Sequence, residues 1–203
     1  MKRAEIEACV SRETLAALDR YVALLTRWNR SINLLGRADE AELWERHIGD
    51  CVQLVPLLDV VPERGIDLGS GAGFPGLILA LITGVPFDLI EADQRKAAFL
   101  RHAARETSAP VQVHAVRIEG ANVSPARLIT ARALAPLPKL LDLAMPVLAP
   151  GGTCLFLKGA QADRELTDSA RRWQMRVERI PSRTAPNASI LRISNLQRVP
   201  PPA

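Results

Sequence analysis

The sequence predicts an α/β fold. It reads as a mostly parallel sheet covered by helices on both faces, closed at one edge by a C-terminal antiparallel hairpin and preceded by an N-terminal helical segment. Three observations carry this. From Gly65 onward short apolar runs alternate with helix-length stretches, the pattern of strands joined by right-handed crossovers. A glycine-rich turn joins the first of those runs to the first of those helices. The last two strand-like runs are separated only by a turn-rich stretch, which suits a hairpin.

Taken in order, residues 1–62 read as helical. Ser11 is placed to cap a helix over 12–29, in which Leu15, Leu18, Val22 and Leu25 recur at spacings of three and four. The period breaks over 29–39. A second helix is expected over 40–50 and a third over 51–58, stopped near Pro62. Strands follow at 66–68, 87–90, 111–116, 128–130 and 154–157, with helices at 75–83, 94–107, 136–149 and 161–173. Residues 175–180 and 190–196 form the hairpin around the turn 181–189. The expected organisation is a helical segment 1–62, a sheet domain 63–198 and a tail 199–203.

Composition narrows the class. Of the 203 residues 48% are hydrophobic and 24% charged, a globular mixture that excludes wholesale disorder. Aromatics make up only 4%, too few for a surface that binds bases by many stacking platforms. Cys9, Cys51 and Cys154 lie far apart with no CxxC pair, which excludes a disulfide framework and a zinc-finger-type module and suits a reducing cytosol. Glu5 and Glu7 stand where an export signal would be apolar, and the longest apolar run, 74–82, is too short to span a bilayer. A cytoplasmic protein with no membrane partner and no resident metal is expected.

Charge is unevenly spread. The chain carries +4 overall, but residues 1–64 balance to −2 and residues 65–203 to +6. Seven arginines and one acid, Glu178, lie between Arg171 and Arg198. The excess suits a polyanionic partner, or an arginine-rich solvated surface.

The most informative stretch is Asp67-Leu-Gly69-Ser-Gly71-Ala-Gly73-Phe74-Pro-Gly76. A strand runs into Gly69, Gly71 and Gly73, and a helix follows, so backbone and free N–H groups approach a ligand closely. Glu91 ends the next strand, with Ala92 beside it, 20 residues after Gly71, the spacing of a ribose-hydroxyl partner. Two cofactor classes use this architecture. Gly71 to Gly76 satisfies the dinucleotide GxGxxG pattern, but its glycines fall two residues late for the strand end at Gly69. The form Asp-Leu-Gly-x-Gly-x-Gly resembles the first motif of S-adenosylmethionine-dependent methyltransferases. A non-catalytic protein on the same fold is the third reading.

Further motifs carry a family resemblance over roughly residues 25–160. They are Trp28-Asn-Arg-Ser-Ile-Asn33-Leu34, Arg46-His47-Ile-x-Asp50, the Gly-Phe-Pro-Gly ending of the turn, Glu91-x-x-x-Arg95-Lys96, Arg117-Ile118-Glu119, Thr130-Ala-Arg132 and Leu157-Lys158-Gly159. Together they resemble the bacterial small-subunit (16S) ribosomal RNA 7-methylguanosine methyltransferases, the glucose-inhibited division protein B family. Cys51 departs from the serine frequent there after Asp50, and the C-terminal hairpin matches weakly.

The resemblance implies a Rossmann-like class I methyltransferase sheet, S-adenosyl-L-methionine as cofactor, and small-subunit ribosomal RNA or the 30S particle as partner. It implies that Gly69, Gly71 and Gly73 hold the methionine and ribose portions, Phe74 touches the cofactor through its backbone, and Glu91 accepts from the ribose hydroxyls. An ion pair of Glu91 with Arg95 is the rival there. Asp67 would meet the cofactor's amino group or brace the loop. Ile118 and Glu119 would meet the adenine, and Arg132 would line the cofactor and substrate pocket. The helical segment would form a lid, with Asn33, Arg46 and His47 facing pocket or RNA, while Arg95, Lys96 and Lys158 would contact RNA. Arg46 and Asp50, at i, i+4, would otherwise be an ordinary helix pair. No general base is expected, because guanine N7 has a lone pair and no proton to lose.

Overall fold

The computed structural model describes residues 1–36, 42–58 and 61–199. A short helix α1 (Arg3–Glu7) precedes α2 (Arg12–Asn29), which begins where the Ser11 hydroxyl accepts the Thr14 N–H at 3.1 Å. The apolar stripe of α2 buries Leu18, Val22 and Leu25 as its spacing predicts.

The second and third expected helices are not two elements. Residues 37–41 lie outside the described residues; beyond them a π-helical turn, Leu43–Ile48, runs directly into α3 (Gly49–Val52). A single 3-10 turn, Val55–Leu57, replaces the rest of the helix expected to 58, since Pro56 supplies no N–H for an α-helical bond.

Seven strands then form one sheet in the order β3-β2-β1-β4-β5-β7-β6. They are β1 (Gly65–Leu68), β2 (Phe87–Ile90), β3 (Val111–His114), β4 (Ala126–Arg132), β5 (Leu148–Lys158), β6 (Trp173–Pro181) and β7 (Ser189–Arg198). Strands β1 to β5 are parallel neighbours, and β7 runs antiparallel to both β5 and β6. The C-terminal hairpin is therefore present, inserted so that its second strand meets β5.

Helices α4 (Gly76–Thr83), α5 (Gln94–Thr107), α6 (Leu137–Ala144) and α7 (Ala162–Ser169) connect the strands. Helix α6 stops five residues short of the expected 149. Pro146 lies in a 3-10 turn, and Leu148 already pairs with Ala126 across β4. Strand β5 thus starts six residues earlier than its apolar run, with the exposed Pro150 and Gly151 inside it. Helix α7 ends at Ser169 because β6 begins at Trp173.

Two apolar layers sandwich the sheet. One joins α6 to Ile66, Ile129, Phe156 and Ile193. The other joins α4 and α5 to the N-terminal helices, so Leu18, Trp44 and Ile48 share a core with Leu77, Phe99 and Leu155. Helix α4 packs hard on β1: a Cβ on Gly76 would stand 2.4 Å from the Asp67 Cβ. Among the described residues, five of the seven C-terminal arginines pair with acids: Arg172 and Arg198 with Asp142, Arg179 with Asp163, Arg183 with Glu5 and Arg192 with Glu178. No helix among the described residues is long and apolar enough to cross a membrane.

Candidate active site

The order β2-β1-β4 makes a switch point at the carboxyl ends of β1 and β4, where ligands of such sheets bind. A cavity of about 450 Å³ opens there, bordered by residues that follow β1, β2, β3 and β4. Its size lies within the range of small-molecule sites.

The glycine turn forms one wall. Gly69, Gly71 and Gly73 all have positive φ, at 65°, 56° and 100°. Gly69 and Gly71 border the cavity, whereas Gly73 is packed beneath it against Leu77 and Leu100. A Cβ on Gly71 would meet nothing closer than the Gly69 carbonyl at 3.9 Å, so any side chain there would occupy the open side of the turn.

Glu91, buried at the end of β2, accepts the Gly71 N–H at 2.8 Å and the Asp93 N–H at 2.8 Å. Its expected rival pairing is absent among the described residues: Arg95 lies 3.7 Å from Asp93 instead. Asp93 caps α5 by accepting the N–H groups of Arg95 and Lys96. Ala92 borders the cavity beside Glu91, and Ile118 and the exposed Glu119 close the far side from a 3-10 turn after β3.

Asp67 does not border the cavity. It is fully buried, its Oδ1 accepts the Thr130 hydroxyl at 2.7 Å, and its Oδ2 has no partner among the described residues. Burial pushes its carboxyl up to about 6 against the opposing Thr130 hydrogen bond. Of the two roles expected for Asp67, contact with the cofactor's amino group and bracing the loop, its burial away from the cavity supports a structural one, which here ties β1 to Thr130 on β4.

Phe74 is both core and wall. It is 3% exposed, meets Tyr21 edge-on at 5.6 Å, and carries the His47 imidazole stacked at 5.4 Å and the Arg132 guanidinium at 4.6 Å. Arg132 borders the cavity at the end of β4; its Nη1 donates to His47 Nδ1 at 2.7 Å and to Asp50 Oδ2 at 3.3 Å. Asp50 therefore pairs across to the sheet, while Arg46 turns back to Glu42 at 3.1 Å and lies outside the cavity. Burial first, then the charges of Arg132 and Arg46, lower the His47 pKa to about 4, so the ring is neutral. Cys51 donates its S–H to the His47 carbonyl at 3.2 Å, a bond that a serine hydroxyl also makes.

Lys158 corrects an expectation. Its ammonium is 2.6 Å from Glu165, donates to the Ala135 carbonyl at 2.9 Å and is 9% exposed, so it is not presented to a phosphate. Glu165 also accepts the Leu137 N–H at 2.7 Å, and the trio ties β5 and α7 to the loop that floors the cavity. Asn33 is exposed and away from the cavity; Asn29 does the local work, its Oδ1 accepting the N–H groups of Leu34 and Leu35 at 2.9 Å. Among the described residues of the helical segment, those two leucines border the cavity.

Besides Arg132, three cations among the described residues stand on the cavity wall: Lys96, Arg117 and Lys139. Lys139 and the loop 133–135 were missed by sequence reasoning. Their only signal is position, just after the carboxyl end of β4.

Comparison with known proteins agrees with this geometry. Among solved structures, an O-methyltransferase from Bacillus cereus in complex with SAH matches at a TM-score of 0.59 and 13% identity, over 86% of this chain and 90% of that one. The N-methyltransferase NodS from Bradyrhizobium japonicum, in complex with S-adenosyl-L-homocysteine, matches at 0.58 and 16%, over 87% and 98%. These establish the class I methyltransferase fold. Proteins named ribosomal RNA small subunit methyltransferase G are far closer in sequence. The one from Granulibacter bethesdensis is 55% identical over 94% of this chain and 89% of its own, and that from Acidiphilium cryptum 54% over 97% and 92%. The family profile described as rRNA small subunit methyltransferase G matches residues 14–190, and the chain belongs to this GidB family.

Proposed function

We propose that this chain transfers a methyl group from S-adenosyl-L-methionine to N7 of a guanine in small-subunit (16S) ribosomal RNA. The observation that carries the reading is the switch-point cavity. In it a glycine turn open at Gly71, a buried carboxylate at Glu91 and a held guanidinium at Arg132 face one space of about 450 Å³. Relatives at 55% and 54% identity are named ribosomal RNA small subunit methyltransferase G, which supports the choice of ribosomal RNA as substrate.

The residues present fit the cofactor. Gly71 leaves room for its amino-acid and ribose portions, while the side-chain space at Gly69 is filled by Leu134; Glu91 keeps free lone pairs for ribose hydroxyls, and Ala92, Ile118 and Glu119 bracket a base. When bound, the cofactor supplies a sulfonium methyl that is already electrophilic. Guanine N7 needs no deprotonation, so the chain's task is alignment and exclusion of water, and proximity and orientation supply most of the acceleration. The guanine must be splayed from its stack to reach such a cavity. With few aromatic residues, affinity would rest on phosphate contacts, for which Lys96, Arg117 and Lys139 on the cavity wall and the exposed Arg95 are suited.

Purified protein, methyl-labelled cofactor and small ribosomal subunits test the reading. Label should appear as 7-methylguanosine after nuclease digestion of the RNA; label absent from guanine N7 refutes the substrate assignment.

A further inference from the structure

Arg132 sits in a hydrogen-bond network that reaches from the end of β4 through the π-helical turn and α3 to the β6–β7 turn. Its Nη1 donates to His47 on the π-helical turn and to Asp50 on α3. Asp50 Oδ1 accepts in turn from the Thr184 hydroxyl in the β6–β7 turn and from Gln53 Nε2 at 3.1 Å. Gln53 Oε1 accepts the Arg183 N–H at 2.9 Å, which fastens the same turn a second time. Arginine is a donor only, so the Nδ1 that meets it carries no proton and the ring proton sits on Nε2. His47 is thus a neutral acceptor of fixed tautomer. Arg132 Nε and Nη2 have no partner among the described residues, and the side chain borders the cavity.

We propose that His47, Asp50 and Thr184 are positioning residues that hold one edge of the Arg132 guanidinium and thereby present its other edge to a ligand oxyanion in the cavity. The inference rests on reading that cavity as the methyl-transfer site. A guanidinium free to rotate would present its two remaining donors in many directions. Pinned at Nη1 and stacked on Phe74, it offers a planar fork already aimed, which suits the paired oxygens of a carboxylate or a phosphate. The oxyanion is the cofactor's carboxylate or a phosphate of the RNA, and the two differ in where a loss is felt. The C-terminal hairpin, which holds none of the sequence motifs, then acts on the reaction through Thr184.

The test combines cofactor calorimetry with S-adenosylmethionine and methyl transfer to small ribosomal subunits. It compares wild type with Arg132→Ala, His47→Ala, His47→Asn and the double variant H47A/R132A. R132A should lose at least about tenfold in one quantity: cofactor affinity if the oxyanion is the cofactor's, kcat/KM for the particle if it is a phosphate. In that same quantity H47A should lose about fivefold or more, and H47A/R132A should be no worse than R132A alone. Asn Oδ1 can replace Nδ1 as acceptor, so H47N should stay within about twofold of wild type. Thr184→Val reads the same link, with a loss of about two- to fivefold, should H47A prove unfolded. Additive losses, an unaffected R132A, or H47N failing as badly as H47A would each overturn the proposal. Wild type that binds cofactor yet labels no ribosomal RNA refutes the substrate alone, and the coupling is then read in cofactor affinity.

Discussion

The Glu91 carboxylate binds the glycine turn directly: its Oε2 accepts the Gly71 N–H at 2.8 Å, while Oε1 accepts the Asp93 N–H at the cap of α5. One buried side chain thus ties the glycine turn to the start of α5, and each oxygen keeps a lone pair for a ligand. Replacing Glu91 with Gln turns one acceptor into a donor aimed at an N–H. Cofactor affinity of E91Q should fall by about 10- to 100-fold, or about 1.4–2.8 kcal/mol. Titration calorimetry checks this, and wild-type affinity in E91Q would restrict the carboxylate to a structural role.

Gly71 separates ligand space from fold. Its φ of 56° suits glycine, and the direction of a Cβ is open. Gly71→Leu should therefore cost only about 1–2 kcal/mol of stability for the left-handed backbone, while its side chain fills the space the cofactor needs. Thermal melts should show a folded protein and calorimetry no binding. Retained binding would mean that the cradle lies elsewhere.

The sheet was legible because its signals are local. Phe87–Ile90 and the helix Gln94–Thr107 are continuous in sequence, bounded by their own caps and turns, and the structure places both at the expected residues. The Arg132 cluster was not legible, because Asp50 is 82 residues away and Thr184 lies 134 residues from Asp50. At sequence level Arg46 and Asp50 read as a helix pair, but Arg46 pairs with Glu42 four residues before it while Asp50 is drawn across to Arg132 on the sheet. Lys158 shows the same limit: its position at a strand end is readable, whereas its burial depends on Glu165 arriving from the next helix.

Because Lys158 is 9% exposed and Glu165 18%, removing the ammonium strands a carboxylate in a largely dry place. Lys158→Ala should destabilise the protein by about 3–5 kcal/mol, and K158M/E165Q should recover much of that loss, since Gln carries no charge and keeps an acceptor for the Leu137 N–H. Denaturant unfolding measures both. A K158A variant of wild-type stability with weakened RNA binding would return Lys158 to the role of a phosphate contact.

Asp67 makes stability depend on pH in the direction opposite to an ordinary paired carboxylate. Its ordinary value of 3.8 rises to about 6 in the fold, so between those values the folded state keeps a proton that the unfolded state has released. Stability from this group is fully present below 3.8 and is lost as pH rises through 6. His47 runs the other way: with its pKa lowered from 6.5 to about 4, its contribution is present above 6.5 and lost as pH falls through 4. Comparing Asp67→Asn with wild type cancels the histidine. Asn keeps the acceptor for Thr130 and never ionises, so D67N should match wild type near pH 4 and exceed it above pH 6 by up to about 3 kcal/mol. Thermal melts at both pH values decide it, and a gap that stays constant with pH would show the carboxyl to be unperturbed.

Lys96, Arg117 and Lys139 border the cavity, and no ion-pair partner for any of them occurs among the described residues. Cations on a cavity wall without an ion-pair partner suit the phosphates of an RNA substrate. Each cation that meets a phosphate of single-stranded RNA should contribute about 0.7 to the slope of log affinity against log salt concentration. Lys139→Ala should thus weaken binding to small-subunit RNA at low salt and flatten that slope by about one contact's share, with cofactor affinity little changed. Filter binding across a salt series measures the slope. An unchanged slope with a lowered affinity for cofactor would place Lys139 on the cofactor instead of the RNA.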